Sequence, residues 1–128
     1  MIIEKVKSVE NLPTIIEEEI RQRKREEFYD IYLYEDNLYM VISLGQKNKA
    51  GYTVEVKEIE DENVGQWKVF IQKQEPKKDQ IAAQVINYPI SITKIWINKR
   101  KGIPKRIIFA DKNGKAITAT HIKEADEV

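Results

Sequence analysis

The chain holds a single histidine, His121, no cysteine, and 21 acidic side chains against 22 basic ones. Nucleophilic catalysis needs a nucleophile with a base within hydrogen-bond reach. His121 stands near the end of the chain, just after a β-type run, which predicts a surface or edge position. The absence of cysteine excludes disulfides, thiol catalysis and cysteine-ligated zinc. The carboxylates Glu55, Glu58, Glu60, Asp61 and Glu62 fall on the wet face of one predicted strand and in the turn after it, where solvation alone would put them. A calcium loop needs acidic residues at alternating positions around a glycine. The run Asp111-Lys112-Asn113-Gly114-Lys115 is too short and carries lysines in the wrong places. No phosphate loop, dinucleotide-type glycine pattern or histidine-rich metal motif occurs. These residues predict a protein that is not an enzyme and has no cofactor and no metal.

One cluster invites a different chemistry. Residues 99–106 read Lys99-Arg100-Lys101-Gly102-Ile103-Pro104-Lys105-Arg106, the most basic stretch of the chain. Basic loops neutralise phosphates, and Trp96 and Phe109 could stack on bases. Gly102 and Pro104 instead mark a turn, and exposed turns carry charge for solubility. The turn is the favoured reading, with nucleic-acid binding ranked behind protein binding and self-association.

The totals agree. At 128 residues the chain is long enough for one domain, expected to span 1–128. Its charges nearly cancel, leaving net +1, which gives no whole-protein field to steer it toward nucleic acid or anionic lipid. Hydrophobic residues make up 41% of the chain, too many for a disordered one. Charges appear at once in Met1-Ile2-Ile3-Glu4-Lys5, with no signal-peptide core behind them. No run approaches the about 18 apolar residues of a membrane span. The chain as written is expected to be cytoplasmic, or exported if a leader has been removed.

Positioning these residues falls to a predicted helix and a series of strands. Ile2 to Val6 reads as a short strand or a lead-in. Leu12, Ile15, Ile16, Ile20 and Phe28 recur at three- and four-residue spacing, predicting an amphipathic helix over about 12–28. Pro13 suits its start, Thr14 and Glu17 have capping-box spacing, and glutamates precede arginines at four-residue spacing. Asp36-Asn37 marks a turn, with a strand predicted before it over 31–34. Leu38, Met40, Ile42 and Leu44 alternate along a strand with one strongly apolar face. Tyr52, Val54 and Val56, and then Trp67, Val69 and Ile71, alternate in half-buried strands. In the apolar tract 85–97 the apolar positions change parity near Thr93-Lys94, which suggests a bulge or bend. Pro89 cannot donate to a ladder, so this tract is an edge strand or is broken at Pro89. Asn113-Gly114 predicts a hairpin over about 106–120, and 123–128 reads as a frayed tail. The expected fold is mainly β: an antiparallel β-sandwich or partly open barrel, with one N-terminal amphipathic helix packed across an open edge or end.

The most distinctive stretch joins two of these strands. Gly45 and Gly51 bracket a lysine-rich tip, and Tyr52 opens the next strand. Together with Tyr88-Pro89 it resembles the C-terminal domain of the PrcB family, a protease-complex subunit. The matching residues are Leu44-Gly45, Gly51-Tyr52, Val54-Glu55-Val56, Pro76, Asp79, Gln84-Val85 and Tyr88-Pro89, within about 38–97. The family's loop typically reads Pro-Thr-Gly-Gly-Tyr, where this chain has Asn48-Lys49-Ala50-Gly51-Tyr52. The resemblance implies a non-catalytic β domain that partners another protein, in the named case a secreted protease. A weaker likeness links the Gly-Tyr loop and Tyr-Pro strand to chagasin-type protease inhibitors. The candidate protein-binding residues are therefore Asn48, Lys49, Gly51, Tyr52, Tyr88 and Pro89. A loop between glycines can approach a partner's backbone closely, and tyrosine suits interfaces. The same residues also fit a plain turn with both tyrosines in the core. The alternative role is self-association, with residues 90–97 pairing with a second copy.

Overall fold

The computed structural model describes residues 1–78, 83–98, 100 and 102–125. Among them the chain forms nine strands and one α-helix: β1 Ile2–Lys5, α1 Thr14–Arg23, β2 Glu27–Tyr34, β3 Asn37–Leu44, β4 Thr53–Asp61, β5 Gln66–Gln74, β6 Ile90–Trp96, β7 Arg106–Ala110, β8 Ala116–Thr120 and β9 Ile122–Glu124. Two sheets form, in the orders β1-β6-β3-β2-β9 and β4-β5-β7-β8. This is the expected mainly β sandwich with one helix. It is not wholly antiparallel, because β2 pairs with β9 and β5 with β7 in parallel.

The core between the sheets collects one face of each central strand. Leu38, Met40, Ile42 and Leu44 of β3 meet Ile31, Ile95, Trp67, Val69, Ile71, Ile107 and Phe109. The opposite face of the five-stranded sheet is covered too. There Tyr39, Val41, Phe28, Tyr32 and Ile92 pack against Leu12, Ile16 and Ile20. The helix thus lies on the outer face of this sheet, and not across an edge or end. Strand β3 is consequently buried on both faces, which its alternating pattern had not indicated.

Burial on both faces also corrects the reading of 85–97. Thr93 and Lys94 pair in regular register with Met40 and Tyr39, so there is no bulge. Ile90 and Ile92 face the helix layer while Ile95 and Ile97 face the sandwich core, which produces the change of apolar parity. Strand β6 begins after Pro89 and is flanked by β1 and β3. Pro89 marks a break, and β6 has no free edge to offer a second copy.

The helix is shorter than its pattern, because Phe28 belongs to β2. Pro13 is its N-cap and makes no side-chain capping bond, so the Thr14/Glu17 capping box does not form. The four-spaced ion pairs do: Glu17–Arg21 at 2.7 Å and Glu19–Arg23 at 3.6 Å. Of the tail expected over 123–128, the part up to Ala125 is not frayed, and residues 126–128 lie outside the described residues. Strand β9 adds to the sheet, and Ala125 is buried with its N–H bonded to the Leu33 carbonyl.

A buried carboxylate ties these outer pieces together. Asp30 of β2 forms an ion pair with Arg23 of α1, accepts the Tyr32 hydroxyl at 3.0 Å and takes Lys123 of β9 at 3.2 Å. Burial and the Asp30 charge push the Tyr32 phenol well above its ordinary value. The folded state therefore holds the neutral phenol, whereas the unfolded chain ionises it near its ordinary value of about 10. That contribution is complete below this pH and is lost as pH rises further. Alkaline unfolding followed by circular dichroism should accordingly move to higher pH in Tyr32→Phe. An unchanged midpoint would show that Tyr32 does not control it.

Candidate functional site

The chain leaves β3 at Gly45, whose φ of +80° suits glycine. Its neighbours are backbone: a Cβ there would stand 3.1 Å from the Arg25 carbonyl oxygen and 3.2 Å from the Glu27 nitrogen. Buried Ser43 secures the same corner, donating from Oγ to the Glu26 carbonyl at 2.8 Å and accepting from the Gly45 N–H at 3.2 Å. The start of the loop is thus fixed against the turn between α1 and β2.

From there the loop runs alongside the segment before β6. The Leu44 N–H donates to the Pro89 carbonyl at 3.0 Å. Lys47 and Asn87 exchange both backbone hydrogen bonds at 2.9 Å, and the Ala50 N–H reaches the Ala83 carbonyl at 3.0 Å. The Asn87 side-chain amide closes the arrangement, donating to the carbonyls of Lys49 at 2.8 Å and Val85 at 3.1 Å. Gly51, at φ +103°, backs onto Pro76, whose Cβ would lie 3.1 Å from an added Cβ. Residues 45–52, Pro76 and 83–89 therefore make one structure, a continuation of the β3–β6 pairing beyond the sheet.

Within it the predicted residues part company. Asn48, Lys49 and Gly51 are exposed at the tip. Tyr52 is half-buried against the core between the sheets, and the Lys47 ammonium sits 4.9 Å from its ring centre. Tyr88 is also half-buried, but its ring lies 4.5 Å beneath the ammonium of Lys24, the residue that ends α1. Pro89 is half-buried behind it. The two tyrosines lie on different layers, Tyr52 against the core between the sheets and Tyr88 beside the end of α1. What the tip presents is Asn48 and Lys49, beside two aliphatic side chains: Val85, 47% exposed, and Ile86, 61% exposed.

The sequence reasoning missed Val85 and Ile86 as surface residues and Asn87 as the clasp. Asn87 did carry a signal, as the one polar residue in Val85-Ile86-Asn87-Tyr88. Beside the loop's base, Glu27 takes a hydrogen bond from Lys73 at 2.9 Å, which holds its carboxyl below the ordinary range. The Lys73 ammonium in turn lies 5.3 Å from the Tyr29 ring centre. More than half of the Glu27 side chain is exposed, so this pair contributes little to stability.

The other candidates lie elsewhere. His121 is exposed, with Nδ1 3.1 Å from the Lys105 carbonyl oxygen. Glu58, Glu60, Asp61 and Glu62 are exposed on β4 and the following turn, and Glu55 pairs with Lys5 at 3.1 Å. Asp111 organises its hairpin loop, its Oδ1 accepting from the N–H groups of Asn113 and Lys115. Among the described residues no group of three or more His, Asp or Glu side chains could hold a metal. No helix among them is long and apolar enough to cross a membrane. Asp79 of the family pattern, and Lys99 and Lys101 of the basic stretch, lie outside the described residues.

No curated protein and no solved structure gave a match, so nothing found carries the likeness to chagasin-type inhibitors. The family model described as PrcB C-terminal matches residues 38–95. That span runs from β3 to β6 and contains the loop at 45–52, Pro76 and the 83–89 segment, all three parts of the tip. Over residues 38–95, a little under half of its length, the chain is similar to the PrcB C-terminal family.

Proposed function

We propose that this is a non-catalytic domain that binds another protein through the paired loops 45–52 and 83–89, as an accessory part of a protease complex. The observation that carries the reading is the tip itself. Backbone pairing and the Asn87 clasp hold Val85 and Ile86 out in water beside Asn48 and Lys49. Exposing two adjacent aliphatic side chains gains the folded monomer nothing, whereas a partner that covers them gains hydrophobic free energy. Fixing the loop beforehand lowers the entropy lost on association. The family match supports the protease-complex setting, since it spans all three segments of the tip.

The test compares capture by the intact chain with capture by Ile86→Asp and by Val64→Asp. Val64 is 79% exposed in the β4–β5 turn and serves as the control. Ile86→Asp should weaken binding of the captured protein at least tenfold, equivalent to about 1.4 kcal/mol. Val64→Asp should leave it unchanged, and the partner should be a protease or a subunit of its complex. Equal capture by all three proteins would remove the tip as the site.

A further inference from the structure

The two sheets end in four edge strands among the described residues: β1, β9, β4 and β8. A bare strand edge is a template for another strand, and proteins guard such edges with charge, proline, bulges or short length. Strand β1 carries Glu4 and Lys5 in four residues, and β9 has only three residues, with Lys123 and Glu124 among them. Strand β4 carries Glu55, Lys57, Glu58, Glu60 and Asp61, with a register shift between Val56 and Glu58. Strand β8 differs. Its sequence is Ala116-Ile117-Thr118-Ala119-Thr120, with no charge and no proline, and Ile117 is 40% exposed. The pairing with β7 skips Ile117, and its other edge pairs with no described strand.

We propose that β8 is a self-association edge, pairing antiparallel with β8 of a second copy about a two-fold axis at Thr118. The strand's own order supports this occupant. In that register Thr118 faces its symmetry mate, Ile117 faces Ala119, and Ala116 faces Thr120. No charge meets a like charge within the strand. Thr–Thr and aliphatic cross-strand pairs are favourable ones, and a net charge of +1 leaves little repulsion between copies. The four-stranded sheet of each copy would continue into an eight-stranded one. Strand β4, which the 45–52 loop enters, lies at the opposite edge of this sheet, so the dimer would leave both tips free. Two tips on one body would strengthen attachment to a multivalent partner. A five-residue strand pair is small for an interface, so the dimer should be weak and concentration-dependent.

Two measurements on the full chain test this. Sedimentation equilibrium up to about 1 mM should show the average mass rising from monomer toward dimer. Ala119→Lys places a charge on an exposed position of the edge and should remain monomeric with an unchanged thermal melt. Because the chain lacks cysteine, Thr118→Cys gives a single thiol at the two-fold axis. Mild oxidation should link it into a disulfide dimer at least tenfold faster than Val64→Cys. A wild-type chain that stays monomeric throughout, an Ala119→Lys chain that associates equally well, or equal linking rates at positions 118 and 64 would each overturn the proposal.

Discussion

Gly45→Ala is expected to destabilise the protein by about 2–5 kcal/mol. The left-handed backbone accounts for about 1–2 kcal/mol of this in any L-residue. Crowding a methyl group against packed neighbours adds about 1–3 kcal/mol. The crowding cannot be relieved by a rotamer change, because the atoms met are the Arg25 carbonyl, the Glu26 carbonyl carbon and the Glu27 nitrogen. Relief would have to move the α1–β2 turn, which Ser43 holds from below. Gly102 supplies the comparison, since it has φ +82° and nothing within 4 Å of an added Cβ. Gly102→Ala should show the backbone part alone. Urea unfolding of both variants checks this, and equal losses would show that the close approach at Gly45 carries no weight.

Phe109→Ala should cost about 3–5 kcal/mol, a large share of the about 5–15 kcal/mol that holds a domain together. Phe109 is fully buried, faces both sheets in the sandwich core, and its ring lies 5.2 Å from that of Tyr29. It also stands at the end of β7 where the pairing with β8 shifts register, so the cavity would be flanked by strands unable to close on it freely. The measurement is a denaturant titration, with thermal unfolding expected to fall by about 10 °C or more. A loss below about 1 kcal/mol would mean that the core repacks around the gap.

Most strands were legible because period-two alternation reports burial on one face directly. Trp67, Val69 and Ile71 alternate with half-buried or exposed partners, and both the face and the span follow from that. Where a second layer covers the other face, alternation disappears. Tyr39, Val41 and Ser43 are as buried as Leu38 and Met40, because α1 lies over them. The same cause gave residues 90–97 two apolar parities and suggested a bulge that is not there. Phe28 fitted the helical spacing by chance, since it faces the same helix layer from β2. At the tip, Gly45, Gly51 and Tyr52 were legible because glycine pairs and an aromatic at a strand start have few uses. The clasp was not. The hydrogen bond from Asn87 to Lys49 joins residues 38 apart, and no local pattern encodes which backbone a side-chain amide will find. The exposure of Val85 and Ile86 was hidden for the same reason, since an aliphatic pair before a strand normally reads as core.

The most direct test of the binding tip is site-specific photo-crosslinking in the cell that makes this protein. A photoreactive phenylalanine analogue replaces Ile86 in one variant and Val64 in another, both exposed aliphatic positions and only one of them at the tip. A discrete covalent adduct with one protein from position 86, and none from position 64, is the predicted result. Adducts from position 64 with none from position 86 would contradict it, and would place the interaction surface at the β4–β5 turn.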